Sequence, residues 1–295
     1  MSKVWLVTGS SRGLGRHLVQ AVLDSGHRLV ATARKVEQLT DFKVKYQDRV
    51  RIVAVDVTDP AAARQAVDTA VASFGRLDVL VNNAGYGNFA SIEDVTDEDF
   101  RAQLETNFFG VVNVTRAALP LLREQRSGHI IQISSIGGRL GAPGLSAYQS
   151  AKWAVEGFSE VLSKEVGPLG IKVTIIEPGG FRTDWAGSSM RVEEVREEYQ
   201  STVGVLARYN RESNGQQAGD PAKAAKVILR VAELSEPPLR LLLGSDAVYL
   251  ARLITQQRAA EDDKWKELSL STDFEGTPDP AERFTQLSQS LIKTD

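Results

Sequence analysis

The chain has 295 residues, of which 42% are hydrophobic and 25% charged, and its formal net charge is −3. That balance allows a sizeable buried core and gives no electrostatic reason to expect nucleic acid or an anionic membrane as partner. Cysteine is absent, which removes disulfides, thiolate nucleophiles and cysteine-held metals, and the three histidines, His17, His27 and His129, lack ligand spacing, so no metal site is expected.

The first strand is expected over 3–8 (KVWLVT), and the stretch VTGSSRGLGRHL follows directly on it. Its glycines, Gly9, Gly13 and Gly15, let backbone amides approach a bulky anion such as a phosphate. The spacing Gly-x3-Gly-x-Gly meets the general dinucleotide fingerprint only loosely, and a glycine-rich helix entry chosen for packing also fits. Candidate contacts here are Gly9, Ser11, Arg12, Gly13, Leu14 and Gly15, with a helix starting near Leu14 whose Leu18, Val19 and Val22 face the sheet.

The second strand (27–33) ends at Ala33 and Arg34, where NAD sites usually place an acid for the ribose 2′-hydroxyl. Arg34 and Arg12 could instead both reach a 2′-phosphate, for which guanidinium geometry is well suited, so the expected cofactor is NADP(H). A third strand (51–57) precedes DPAAARQAVDTAVASFG, read as a helix with Asp59 as N-cap, Pro60 at its first position and Gly75 past its end. Further strands are expected at 77–83, 129–134, 172–178 and 239–244. Near-continuous apolar strands separated by helices imply an α/β fold, a doubly wound parallel seven-stranded sheet of Rossmann-like type in one domain. Ligands of such sheets bind outside the carboxyl ends of the strands.

After the fifth strand come Ser135 and then Tyr148 and Lys152, one helical turn apart on a helix beginning near Ala147. An adjacent ammonium favours the phenolate, so Lys152 is expected to lower the Tyr148 pKa, while Ser135 can donate to a substrate oxygen. By spacing alone the pair also fits a solvated helix face.

The ordered set TGSSRGLG (8–15), DVT (56–58), NNAG (82–85), TNFFG (106–110), ISS (133–135), YQSAK (148–152) and PGGFRT (178–183) resembles the short-chain dehydrogenase/reductase family over about residues 3–244. The resemblance implies Tyr148 as proton donor to a carbonyl, Lys152 as its partner that also binds the nicotinamide ribose, Ser135 as oxygen orienter and Asn107 as holder of a relay water. It further implies that Asp56 and Val57 contact the adenine, that Asn83, Ala84 and Gly85 flank the cofactor, that Pro178 and Gly179 also bind it, and that Thr183 bonds its carboxamide. The implied activity is NADPH-dependent reduction of an apolar ketone or aldehyde. An oxidative hydroxysteroid or retinol-type alcohol dehydrogenase and a non-catalytic NADP(H)-binding scaffold are the alternatives.

On this reading residues 1–244 form the dinucleotide-binding and catalytic domain, with 184–219 as a substrate lid, and 245–295 a helical extension and tail. Val192, Val195, Tyr199 and Val203 recur at helical spacing within the lid. Leu140, Leu145, Trp185 and Met190 are the candidate substrate pocket, with Tyr86 and Phe89 across the cleft; such a lining suits an apolar small-molecule carbonyl or alcohol. Ser245 can cap a helix over 245–268, and a short helix is expected around 280–291. The extension argues for a monomer or homodimer. No apolar run is long enough to span a bilayer and no signal peptide is read, so a cytoplasmic protein is expected.

Overall fold

The computed structural model describes residues 2–183, 190–277, 280–281 and 284–285. The first strands are β1 (Val4–Val7), β2 (Arg28–Ala33), β3 (Val50–Ala54) and β4 (Val79–Asn82), and the later ones β6 (Gly128–Ile133), β7 (Ile171–Pro178) and β9 (Arg240–Leu243). All seven pair in parallel, in the order β3-β2-β1-β4-β6-β7-β9. This is the expected doubly wound sheet.

Successive side chains of a strand point to opposite faces. Trp5, Val7, Leu29, Ala31, Val79, Val81 and Ile131 therefore enter one buried cluster. Leu6, Val30, Leu80 and Ile130 enter another. The first is covered by α1 (Gly13–Asp24), α2 (Thr40–Tyr46) and α8 (Pro221–Val231); the second by α3 (Pro60–Phe74), α5 (Gly110–Gln125) and α6 (Ser146–Val166). Helix α3 has the expected ends: the Asp59 side chain accepts from Ala61 N, and Gly75 closes it in a left-handed conformation. A cap of this kind is worth about 1 kcal/mol. His129 is structural, its buried Nε2 lying 2.9 Å from Thr174 Oγ1.

The order reverses between β1 and β4, the switch point at which such sheets open a crevice. Beyond it a second, two-stranded sheet pairs β5 (Gly87–Phe89) with β8 (Met190–Val192) in parallel. The helical spacing read through Val192, Val195, Tyr199 and Val203 does not correspond to one helix. Val192 is in β8, and helix α7 starts only at Val203 and runs to Glu212. Strand pairing with β5 captures the first part of the segment. Val195 and Tyr199 still pack inward, against a small core of Phe89, Met190, Val203 and Ala207.

The chain divides into two compact units, Met1–Ala251 and Arg252–Asp295. Helix α9 spans Ser245–Leu270. Of the short helix expected over 280–291, residues 280–281 and 284–285 are helical and the remainder lie outside the described residues. Among the described residues no helix is long and apolar enough to cross a membrane.

Candidate active site

The carboxyl ends of β1, β2, β3, β4, β6 and β7 surround a cavity of about 700 Å³. At its floor the loop after β1 takes up left-handed conformations at Gly9 (φ +64°) and Gly13 (φ +53°), which L side chains rarely adopt. Gly15 is required for another reason. A Cβ there would lie 2.3 Å from Gly9 O and 2.4 Å from Asn83 Nδ2. Asn83 ties the loop to β4, its Nδ2 donating to Thr8 O (2.9 Å) and Gly9 O (3.0 Å), while Thr8 Oγ1 accepts from the backbone of Asn83 and Ala84.

Gly9, Ser11, Arg12, Gly13, Leu14 and Gly15 all line the cavity, as do Arg34 after β2, Asp56 and Val57 after β3, and Asn83, Ala84 and Gly85 after β4. Arg12 and Arg34 are exposed on the same rim. Across the cavity lie Pro178, Gly179 and Thr183. A Cβ on Gly13 would meet the Thr183 Cβ at 3.6 Å, so the two loops approach closely over the floor. A loop of backbone amides opening helix α1, with two guanidinium groups on its rim, fits a dinucleotide phosphate in its donor set.

Ser135, Tyr148, Lys152 and Asn107 converge at the other end of this floor. Ser135 lies just beyond β6, where it caps the short turn Ile136–Gly138, its hydroxyl accepting from Gly137 N at 3.0 Å. Tyr148 and Lys152 project from the buried face of α6. Lys152 Nζ donates to Ile133 O at 2.8 Å and stands 5.7 Å from the Tyr148 ring centroid. Asn107 sits in a π-helical turn (Glu105–Phe109), a distortion common at functional sites. Its Nδ2 donates to Tyr86 O at 3.0 Å and to Gln103, and its Oδ1 accepts from Tyr86 N at 3.3 Å. The absence of a side chain at Gly85 leaves room for that amide, since a Cβ there would lie 2.5 Å from Asn107 Oδ1.

The expected lowering of the Tyr148 pKa is not what the protein alone produces. Burial pushes the phenol up to about 12, and a hydrogen bond with Ser135 opposes this only in part. Burial also drives Lys152 down to about 8, against the attraction of Glu156. Tyr148 is thus held as a neutral phenol, the form that can donate a proton.

The candidate pocket residues divide. Leu140 and Leu145 line the cavity, with Tyr86 and Phe89 opposite. Met190 is not among the lining residues: it is buried in the Phe89, Val203 and Ala207 core, where β8 pairing turns it. Trp185 lies outside the described residues. A wall unforeseen from the sequence comes from α7 and its C-cap: Leu206, Tyr209 and Asn210, with Ser213 at the cap, follow i, i+3, i+4, i+7 spacing on one face. Asp246 was also missed. Its Oδ2 accepts from Gly180 N at 2.6 Å, securing the loop after β7. An acid in the first turn of a helix directly after the last strand was the available signal.

A doubly wound sheet with a glycine-loop floor and a Ser, Tyr and Lys group at its inner end defines a nicotinamide dinucleotide oxidoreductase. The chain belongs to the short-chain dehydrogenase family, whose model matches residues 3–194. The oxidoreductase BOA17 of Botryotinia fuckeliana is 55% identical over 273 residues, covering 92% of this chain and 100% of that protein. A short-chain dehydrogenase from Streptomyces avermitilis superposes with a TM-score of 0.87 at 41% identity, covering 93% of this chain and 100% of that one. A short-chain dehydrogenase from Burkholderia cenocepacia, solved in complex with NADP, has a TM-score of 0.71 at 26% identity, covering 89% of this chain and 97% of that one.

Proposed function

We propose that this oxidoreductase is an NADPH-dependent carbonyl reductase acting on an apolar ketone or aldehyde. The observation that carries the reading is the buried Tyr148 hydroxyl, hydrogen-bonded to Ser135 and one helical turn from Lys152, at the inner end of the cavity. Arg12 and Arg34 on the rim, with no carboxylate directly after β2, support a 2′-phosphate over a free ribose hydroxyl. The NADP complex of the Burkholderia cenocepacia relative agrees with this choice.

The dinucleotide, when bound, supplies the hydride. Ser11, Gly13, Leu14 and Arg12 would hold its phosphates, Arg34 its 2′-phosphate, Asp56 and Val57 its adenine, and Asn83 to Gly85 its ribose side. Pro178, Gly179 and Thr183 would receive its carboxamide. Ser135 and Tyr148 then hold the substrate oxygen between two hydroxyls, and Tyr148 releases its proton to that oxygen as negative charge grows there. Lys152 stabilises the phenolate left behind, and Asn107 with its Tyr86 and Gln103 partners fixes the adjoining turn. The substrate body would lie against Leu140, Leu145, Phe89 and Leu206, an apolar wall that disfavours a sugar or a free acid.

The test is consumption of NADPH, followed at the nicotinamide absorbance band, with para-nitrobenzaldehyde, aryl ketones and ketosteroids, each repeated with NADH. Reduction favouring NADPH is expected. Oxidation of alcohols without carbonyl reduction would indicate the dehydrogenase alternative, and tight NADPH binding with no turnover in either direction would indicate a scaffold.

A further inference from the structure

One turn beyond Lys152 on the same face of α6 lies a carboxyl that the reaction above does not use. Glu156 is 7% exposed, and the spacing of four residues stacks Tyr148, Lys152 and Glu156 along one stripe. Three further elements close over it. Arg240 of β9 donates to Glu156 at 3.1 Å and to Glu160, a turn further along α6, at 2.8 Å. Glu177 of β7, wholly buried, accepts from Arg139 at 2.7 Å and lies 3.8 Å from Arg240. The loop after β6 packs so closely that a Cβ on Gly138 would lie 2.8 Å from Ser134 Oγ and 3.1 Å from Glu156 Oε1.

Arg139 pairs with Glu177, and Arg240 is shared between Glu156 and Glu160, which also holds Lys164 at 3.1 Å. Of these carboxylates Glu156, one turn along α6, is the one whose charge attracts Lys152. Lys152 in turn needs an anion, because its hydrogen-bond acceptor, Ile133 O, offers a dipole and no formal charge.

We propose that Glu156 is a positioning residue for Lys152: its carboxylate, clamped by Arg240, is the counter-charge that keeps the buried ammonium protonated. The Arg139–Glu177 pair ties the same support to the loop carrying Ser135. The role rests on the reading of Lys152 as the partner of Tyr148. Burial lowers the Lys152 pKa to about 8 while Glu156 acts against that fall. Burial also raises Glu156 to about 7, with Glu177 adding to the rise and Arg240 opposing it. Loss of the Glu156 carboxylate leaves the ammonium supported by dipoles alone.

The experiment is an NMR titration of the full chain, isotopically labelled at lysine Cε, with the Lys152 signal assigned by its absence from Lys152→Arg. In Glu156→Gln the Lys152 midpoint is expected to fall by about one pH unit, a tenfold drop in the ratio of charged to neutral amine. Glu156→Asp, which keeps the charge, should retain most of the wild-type midpoint. Should Glu156→Gln fail to fold, Arg240→Gln decides the matter: it removes the cation that favours ionised Glu156 and must move the Lys152 midpoint the same way. An unchanged midpoint in folded Glu156→Gln, or in Arg240→Gln as its substitute, overturns the inference. In parallel, the basic limb of the rate profile for NADPH-driven reduction of para-nitrobenzaldehyde should shift to lower pH in Glu156→Gln. A moved midpoint with an unmoved limb upholds the inference and removes Lys152 from the proposed reaction.

Discussion

Gly15→Ala tests the phosphate loop at a position where the backbone conformation itself is not the constraint. The new methyl would lie 2.3 Å from Gly9 O and 2.4 Å from Asn83 Nδ2, contacts that neither neighbour can keep. Overpacking of this severity costs about 1–3 kcal/mol. Displacing Asn83 also weakens its hydrogen bonds to Thr8 O (2.9 Å) and Gly9 O (3.0 Å), each worth about 0.5–1.5 kcal/mol. The expected loss is about 2–4 kcal/mol, and with each kcal/mol worth roughly 2–4 °C in a domain of this size, Tm should fall by about 4–16 °C. Dinucleotide affinity should fall with it, because the amides that would meet the phosphates move with Gly9. Gly13→Ala provides the contrast: its methyl meets Thr183 at an ordinary 3.6 Å, leaving the left-handed backbone (φ +53°), a cost of about 1–2 kcal/mol, as the main penalty. Thermal melts and fluorescence titration with NADPH measure both variants. A Gly15→Ala protein as stable as wild type, or less affected than Gly13→Ala, would refute the packing argument.

Tyr148→Phe should lower turnover by at least about a hundredfold, the usual scale of a lost general acid, with NADPH affinity little changed; steady-state rates and binding titrations read the two apart. Arg34→Asp combined with Arg12→Ser should move the ratio of kcat/KM for NADPH over NADH by at least about a hundredfold towards NADH, as expected for two lost charge-assisted contacts. Burial holds His129 at a pKa of about 3 against an ordinary 6.5, so the unfolded chain takes up a proton that the folded chain refuses as pH falls below 6.5. Stability should therefore decline from pH 6.5 towards about 3, and His129→Gln should flatten that part of the decline in denaturant midpoints measured against pH.

The central strands were legible because they are buried on both faces and read as apolar runs, as in Val4–Val7 of β1 and Val79–Val81 of β4. Asp59, Pro60 and Gly75 marked α3 because their chemistry is local. What stayed hidden depended on distant partners. Phe89 and Val192 form one short ladder from segments about a hundred residues apart, and no local period announces it; the same pairing turned Met190 into the core. The positions of Ser135, Tyr148 and Lys152 could be anticipated, yet the titration of Tyr148 could not, because burial depends on everything packed around α6 and overrode the one charge visible in the spacing. Asp246 and the Leu206–Ser213 face of α7 reach the cavity only through tertiary folding.

Phe89 belongs at once to the cavity wall, to the β5–β8 ladder and to the small core with Met190, Val203 and Ala207. Widening the cavity there would remove a buttress, so substrate taste and structural soundness are inherited together at that position. Drift towards new substrates is steered instead to Leu140, Tyr209, Asn210 and Ser213, which border the same space without holding up that core.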